Sequence, residues 1–540
     1  MATTNTSNPG KWDTFHNNGP WDTRTLYKTT IDGTLEQTSF FDCYNDAANE
    51  IQRLLEIARK DKHGFRAMGA AWSLNHIAHH KDNMHFNRGM NLCKIIAASE
   101  VHAESPYKAE NLFFFQCGTR VKEMNNFLFK FRKSLKTTGA SNGQTIAGCI
   151  STGVHGSAHD VGSMQDYVVG LSLIIGPGNT DRVYLERKNS KALSDQFAKD
   201  IKSRVIRTDD DALFNAALVG LGSFGFIHGV VVEVEDLYLL NRYVTTIERK
   251  EAMRLASTLD FENSTFKIAG EKNAQGKPNR PHHYKIFINP YRNEPELVAE
   301  MMYKKPYRTD YPDPIPRVKT AIYTDLVINL GKVLGKIPKR IPGIIRLLEK
   351  SVLPKEGADP NKPVTGTHGE IFWDSIHQGP AYACEVCIDI KDAPKALNLL
   401  CKLAKEEGPI PGLFAMRFIK QSKATLACSA FPVSCMLEID GAIWKAKKGD
   451  MGLKEFCTRS ITVLKANHIP FTIHWGKNAD WAYPGLVEHM YGSKAKQWRE
   501  CRSALLTKEM AKVFSNGFLD ETGLSQYVDN APASLAENTV

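Results

Sequence analysis

Between Thr137 and Gly162 the chain reads TTGASNGQTIAGCISTGVHGSAHDVG, six glycines and a series of Ser and Thr hydroxyls within 26 residues. Glycine lets a backbone turn tightly and approach a ligand closely, and hydroxyls bond phosphates and ring heteroatoms. A flexible linker shares those small residues but has no use for Ile146, Cys149, Ile150 and Val154. These apolar side chains predict a loop held in a core while its backbone threads around a large polar ligand. The centre of the feature, Gln144–His155, constrains the fold more than any other segment.

Two further glycine-rich stretches accompany it. RAMGAAWS (Arg66–Ser73) follows a short candidate strand, and a turn of small residues there presents N–H groups to an anion such as a pyrophosphate. Taken alone, such a turn is equally an ordinary turn. In ALVGLGSFGFIHGVVVEV (Ala217–Val234), Gly220-x-Gly222-x-x-Gly225 has the spelling of a dinucleotide fingerprint. It precedes a strand instead of opening a helix, so the mechanical context of that fingerprint is missing.

The first half of the chain alternates strands and helices. Ala47–Lys60 carries apolar residues at helical spacing, Leu112–Cys117 is a strongly apolar strand, and Val121–Phe131 is an amphipathic helix. Tyr167–Gly176 and Gly225–Val234 read as β-branched strands bounded by glycine. The texture changes near Asp236–Tyr243. Beyond it, candidate strands His283–Ile288, Tyr382–Ile388, Ala415–Ile419 and Ser434–Ile439 are interleaved with helices such as Ala393–Glu406. The fold class predicted is α+β, sheets covered by helices. The expected organisation is a disordered segment 1–20, a ligand-binding domain 21–243, a second domain 244–470, a C-terminal segment 471–530 and a disordered tail 531–540. Within the second domain, Pro306–Lys355 is an apolar stretch studded with Lys and Arg. Such an insert walls a hydrophobic tunnel, lies on an anionic membrane, or packs as a helical hairpin on its own domain, and composition leaves all three open.

The formal net charge of +10 is a mild bias over 540 residues and does not point to nucleic acid. The N-terminus lacks the basic and apolar pattern of a signal peptide, and eleven scattered cysteines suit reduced thiols, so a cytoplasmic location with peripheral membrane contact as an option is expected. Cys384-x-x-Cys387 has no second ligand pair at zinc spacing, so no metal is predicted.

The order and content of the three glycine-rich stretches resemble the FAD-binding domain of the vanillyl-alcohol-oxidase (PCMH-type) flavoprotein superfamily. QTIAG-ISTG-HGS and GLGSFGFI are similar to its sugar-lactone and alditol oxidase branch, and HWGK (His474–Lys477) resembles that branch's C-terminal motif. The resemblance spans roughly residues 45–240 and 370–520. It implies a PCMH-type FAD-binding domain completed by the C-terminal segment, and an α+β cap (substrate) domain. By position, Ala67, Met68, Gly69, Ala70, Ala71, Trp72 and Ser73 hold the pyrophosphate. Ala140, Thr145, Gly148, Thr152, Gly153, Val154 and His155 surround the flavin and its diphosphate, and Ile227 meets the adenine side.

Many members link flavin covalently to a histidine in the first loop. The matching position here is Trp72, and His76 is offset by four residues, so non-covalent FAD is expected. Gly139 falls near the reactive flavin carbon, where a glycine leaves room for dioxygen; it equally serves the turn. His474 and Lys477 match the pair facing flavin and substrate, the lysine stabilising reduced-flavin charge and the histidine orienting or deprotonating a hydroxyl. Arg417 matches the arginine of a Glu-x-Arg pair whose glutamate position is Ala415. Glu385, on a neighbouring candidate strand, either supplies that carboxylate, pairs with Arg417, or lies on the surface. The activity implied is oxidation of an alcohol (CH–OH) by hydride transfer to FAD, with dioxygen as acceptor. A hydrophobic, lipid- or sterol-like alcohol is the alternative to a sugar or lactone, and a non-catalytic flavin-binding or membrane-associated protein is the alternative from another class.

Overall fold

The structure, a computed structural model, describes residues 1–31, 39–312, 342–343, 362–372, 381–442 and 451–531. The first domain holds two sheets around the Phe40–Lys60 helix. One sheet has the order Ala2–Ser7, Thr25–Ile31, Asn83–Gly89, Phe65–Met68; the other runs Arg204–Ile206, Arg182–Glu186, Val168–Ile174, Phe226–Glu233, Leu112–Gln116, Cys93–Ile95. The helix starts at Ser39, whose side chain accepts from the Asp42 N–H, and it buries Ala47, Ala48, Ile51, Leu54, Leu55 and Ala58, the residues its periodicity singles out. Tyr44 ties it to the second sheet by donating to Ser172 Oγ at 2.8 Å.

The expected disorder of residues 1–20 is corrected. Ala2–Ser7 pairs antiparallel with Thr25–Ile31, and Gly10–Trp12 pairs with Trp21–Thr23. The segment is polar because Ala2–Ser7 is a largely exposed edge strand, and its threonines have the β preference that polarity alone conceals.

The second domain is an eight-stranded antiparallel sheet, in the order Val364–Thr367, Tyr238–Glu248, Glu296–Pro306, His283–Ile288, Gly412–Lys420, Val433–Ala442, Ala381–Asp389, Phe471–Ile473. Helices Arg249–Thr258, Ala393–Glu406 and Leu453–Ala466 pack side by side along it. Cys384 Sγ lies 3.1 Å from Cys457 Sγ on the last of these helices. Side chains alternate along a strand, so Glu385 points to the opposite face. The same alternation parts Cys384 from Cys387, which packs with Ile419, Cys428 and Met436. Apart from residues 306–312 and 342–343, the basic apolar insert and its expected alternatives lie outside the described residues, as does nearly all of the 531–540 tail. Among the described residues, no helix is long and apolar enough to cross a membrane.

After Phe471–Ile473 the chain returns to the first domain through four helices between Leu486 and Glu521. Arg66, fully buried, fastens this return. It donates to Leu221 O, Gly222 O, Ile77 O and Phe514 O at 2.6–3.0 Å, joining the first and third glycine-rich stretches to the C-terminal segment.

Candidate active site

One cavity of about 300 Å³ lies between the first domain and the open face of the large sheet. Every site residue expected from the sequence lines it except Gly153: Ala67–Ser73, Gly139, Ala140, Thr145, Gly148, Thr152, Val154, His155, Ile227, Glu385, Arg417, His474 and Lys477. Gly153 instead ends the Ile146–Thr152 helix in the left-handed conformation, φ 75°, where its lack of a side chain is needed. His76 is not among the lining residues; its Nε2 is 3.3 Å from Glu521 Oε2 and its ring meets Phe518.

The first-domain wall fits a large polar cofactor. Ala71 is left-handed at φ 57°, which curls the Ala67–Ser73 turn around the cavity. A side chain on Gly69 would sit 1.9 Å from Thr145 Oγ1, so backbone approaches side chain here as closely as glycine permits. Thr145 Oγ1 and Gln144 Oε1 are buried at this wall with no protein hydrogen-bond partner, which costs free energy unless a ligand supplies one. Ser151 and Thr152 donate back to Ala147 O and Gly148 O within their helix. Trp72 stacks on Phe15 with centroids 4.5 Å apart and fills the space beside Gly143. These residues fit FAD, which Ala67–Ser73 and the Thr145–Thr152 segment would hold.

The opposite wall is charged. Arg417 Nη2 lies 2.7 Å from Glu385 Oε1 and 3.1 Å from Glu438 Oε2, and Lys477 Nζ lies 2.6 Å from Glu438 Oε1 and 3.9 Å from Asp440 Oδ1. His155 Nε2 is 3.1 Å from Glu385 Oε1, and the His155 and His474 rings are 5.4 Å apart. Glu385, Glu438 and Ala415 occupy one row across three neighbouring strands, with Glu438 in the middle. Glu385 thus pairs with Arg417, but the strand adjoining Ala415 carries a second carboxylate, Glu438, and two residues on a third, Asp440. The sequence reading missed both. They sit in SCMLEIDGA, whose alternation reads as an ordinary strand with a solvated face; the available signal was two carboxylates two residues apart, which must share one face.

Burial would raise the Glu385 carboxyl, but Arg417, His155 and Lys477 outweigh it and hold Glu385 well below the usual carboxylate range. Burial likewise opposes, and Arg417 and Lys477 overcome, at Glu438, held down to about 2. At Asp440 burial and then repulsion from Glu438 prevail, pushing it up to about 7. The same carboxylates keep Arg417 and Lys477 charged against burial. Burial lowers His474 to about 3, and its Nδ1 accepts from the Gly476 N–H at 3.0 Å. With Nδ1 accepting, the neutral ring carries its hydrogen on Nε2, a donor. His155, Glu385 and His474 bring three potential metal-ligand atoms within 4.8 Å of one another. Arg417, hydrogen-bonded to the same Glu385 oxygen, supplies positive charge there.

The His474–Lys477 turn is locked to the first glycine-rich stretch. Leu74 N donates to Gly476 O at 2.8 Å, and Asn75 Nδ2 donates to Trp475 O and Lys477 O, each at 2.8 Å. Residues 400 and 402 positions apart in the sequence are thereby fixed on one cavity rim by backbone and amide bonds, which is how Lys477 reaches a site built mostly by the N-terminal half.

Residues 44–183 match the family model described as an FAD binding domain. The chain thus carries an FAD-binding domain of the PCMH type. Its fold is similar to cholesterol oxidase from Brevibacterium sterolicum, with a TM-score of 0.64 at 13% identity over 96% of this chain and 97% of that one. In sequence it is 36% identical over 107 residues to L-gulonolactone oxidase 3 of Arabidopsis thaliana, covering 19% of this chain and 16% of the relative. It is 28% identical over 145 residues to a long-chain alcohol oxidase from an uncultured marine euryarchaeote, covering 27% of this chain and 25% of the relative. The chain thus aligns with a quarter or less of the length of these curated relatives.

Proposed function

We propose that the protein binds FAD non-covalently and oxidises the CH–OH group of a small polyhydroxylated alcohol or lactone to a carbonyl, with dioxygen as acceptor and hydrogen peroxide as product. The observation that carries this reading is the meeting, in one cavity, of a glycine-lined cofactor cradle with a wall of three carboxylates and the cations Arg417 and Lys477. FAD, when bound, supplies the hydride acceptor. Lys477 and Arg417 stabilise the negative charge that develops with hydride departure, without reorganising, because Glu438 and Glu385 already fix them. His474 orients the substrate hydroxyl through Nε2–H. Trp72 occupies the position of the linking histidine and packs on Phe15, which supports non-covalent attachment.

A charged wall favours a substrate with several hydroxyls over a lipid, since burying these groups against hydrocarbon leaves them unsatisfied. Similarity to both an L-gulonolactone oxidase and a long-chain alcohol oxidase sets the two classes to compare. The test is peroxide release by the aerobic holoprotein with L-gulono-1,4-lactone, xylitol, 1-octanol and cholesterol. Turnover with the lactone or polyol is expected. Turnover confined to octanol or cholesterol overturns the polar assignment, and none with any compound overturns the oxidase reading.

A further inference from the structure

The loop Asp13–Gly19 lies ahead of the residues that match the FAD binding domain, yet it reaches the cavity. Asp13 Oδ1 accepts from Thr14 N and Gly19 N, each at 2.7 Å, and Thr14 Oγ1 accepts from Asn18 N at 3.1 Å, so the loop holds its own shape. It is also fastened to both domains. Phe15 N donates to Ala71 O at 2.8 Å in the first glycine-rich turn. Ala381 N donates to His16 O at 3.4 Å, and Asn18 Nδ2 donates to Ala381 O at 3.1 Å. Asn478 Nδ2, one residue past Lys477, donates to Asn18 Oδ1 at 3.0 Å. From this loop His16, 6% exposed, lines the cavity, and its ring meets Trp72 edge-on with centroids 5.2 Å apart.

Ala381, Ala383 and Glu385 alternate along one strand onto the same face, and all three line the cavity. At about 3.4 Å per residue, Ala381 stands roughly 13 Å from Glu385. The floor between them is Ala383 with Gly441 of the neighbouring strand, small residues that leave space for a ligand. Beyond Ala381 stands His16. At the other end Glu385 has no exposed side-chain surface and is held by Arg417 at 2.7 Å and His155 at 3.1 Å, so a longer substrate extends toward His16.

We propose that His16 is a specificity-determining residue that ends the substrate channel and limits the alcohol to the size of a simple alditol or aldonolactone. The inference rests on the oxidase reading and deepens it by setting the size class of its substrate. A wall rejects a longer molecule by clash only where it does not yield. The bonds to Ala71, Ala381 and Asn478 hold this wall in place, and the stack of Phe15 on Trp72 backs it.

The experiment is anaerobic single-turnover reduction of the holoprotein, read on the flavin absorbance, with L-gulono-1,4-lactone, xylitol and maltitol, an alditol that carries a further sugar ring. Wild type, His16→Ala, His16→Phe and Asn18→Ala are compared at equal FAD content. Wild type should reduce faster with the better of the two small probes than with maltitol. His16→Ala should raise the rate-constant ratio of maltitol to that probe by roughly tenfold or more, the scale on which a pocket discriminates by small differences in size. The change should lie in the dissociation constant for maltitol, which the concentration dependence separates from the limiting rate. His16→Phe, which restores bulk, should keep the wild-type ratio. Asn18→Ala, which unfastens the loop from Ala381 and Asn478, should raise it by less than His16→Ala. A wild type that takes maltitol as readily as the small probes overturns the assignment and leaves the oxidase reading standing. So does an unchanged ratio in His16→Ala, or one raised equally in His16→Phe. Should His16→Ala lose FAD, an unchanged ratio in Asn18→Ala overturns it. A wild type that dithionite reduces but no probe does overturns the polar-substrate reading and this inference with it.

Discussion

Ala415 and Glu438 stand opposite one another on adjacent antiparallel strands, so the carboxylate missing from one strand is present at the same level on the next. Glu438 Oε2 reaches Arg417 at 3.1 Å, and its other oxygen reaches Lys477 at 2.6 Å. The two cations are thereby spaced by one carboxylate. Glu438→Ala leaves both with one buried partner fewer, and breaking a buried pair costs about 3–5 kcal/mol. Urea denaturation should show a loss of that size, and Glu438→Gln, which keeps a hydrogen-bonding oxygen, a smaller one.

Gly69 fixes how closely the first turn approaches the Ile146–Thr152 helix. Gly69→Ala places a methyl 1.9 Å from Thr145 Oγ1, and relieving such overpacking costs about 1–3 kcal/mol. At 1.4 kcal/mol per tenfold, FAD affinity should fall roughly tenfold or more. Gly517→Ala meets no atom within 4 Å and serves as control. Fluorescence titration of apoprotein with FAD distinguishes them.

Trp72 predicts the fate of the flavin on denaturation. Acid precipitation of the holoprotein should leave all flavin in the supernatant. Flavin that stays with the pellet through washing contradicts non-covalent attachment and directs attention to the other cavity histidines, His16, His155 and His474.

Asp440 gives a pH dependence whose sign follows from linkage. Its carboxyl is raised from 3.8 to about 7 in the folded chain, so the folded state binds the proton more tightly and this residue's contribution to stability declines as pH rises across that window. Asp440→Asn should therefore gain thermal stability relative to wild type between about pH 4 and pH 7, with the difference level above. Tm measured across pH with saturating FAD checks it; a difference that grows toward low pH contradicts a carboxyl raised by the fold.

The cofactor wall was legible because its chemistry is local. Small residues and hydroxyls at Thr137–Gly162 need only their own backbone to form a cradle, and the strand at Phe226–Glu233 announces itself by β-branching. The charged wall is a product of strand order. Gly412–Lys420, Val433–Ala442 and Ala381–Asp389 are neighbours out of chain order, and nothing local places Glu438 between Ala415 and Glu385. The N-terminal strand was concealed for a related reason: its partners, Thr29 and Glu50 at Thr4 Oγ1, come from later in the chain. His474 was recognised as a site residue, but its tautomer depends on the Gly476 N–H, a detail of turn geometry.

The central claim is that an alcohol delivers a hydride to FAD in the cavity between Ala67–Ser73 and the Arg417–Glu438–Lys477 wall. Anaerobic mixing of the holoprotein with L-gulono-1,4-lactone or xylitol, followed on the visible flavin spectrum, tests it most directly. The account predicts bleaching that admitted air reverses, with one peroxide formed per flavin reoxidised. A spectrum left unchanged by both compounds, and by 1-octanol and cholesterol, in protein that dithionite still bleaches would contradict it.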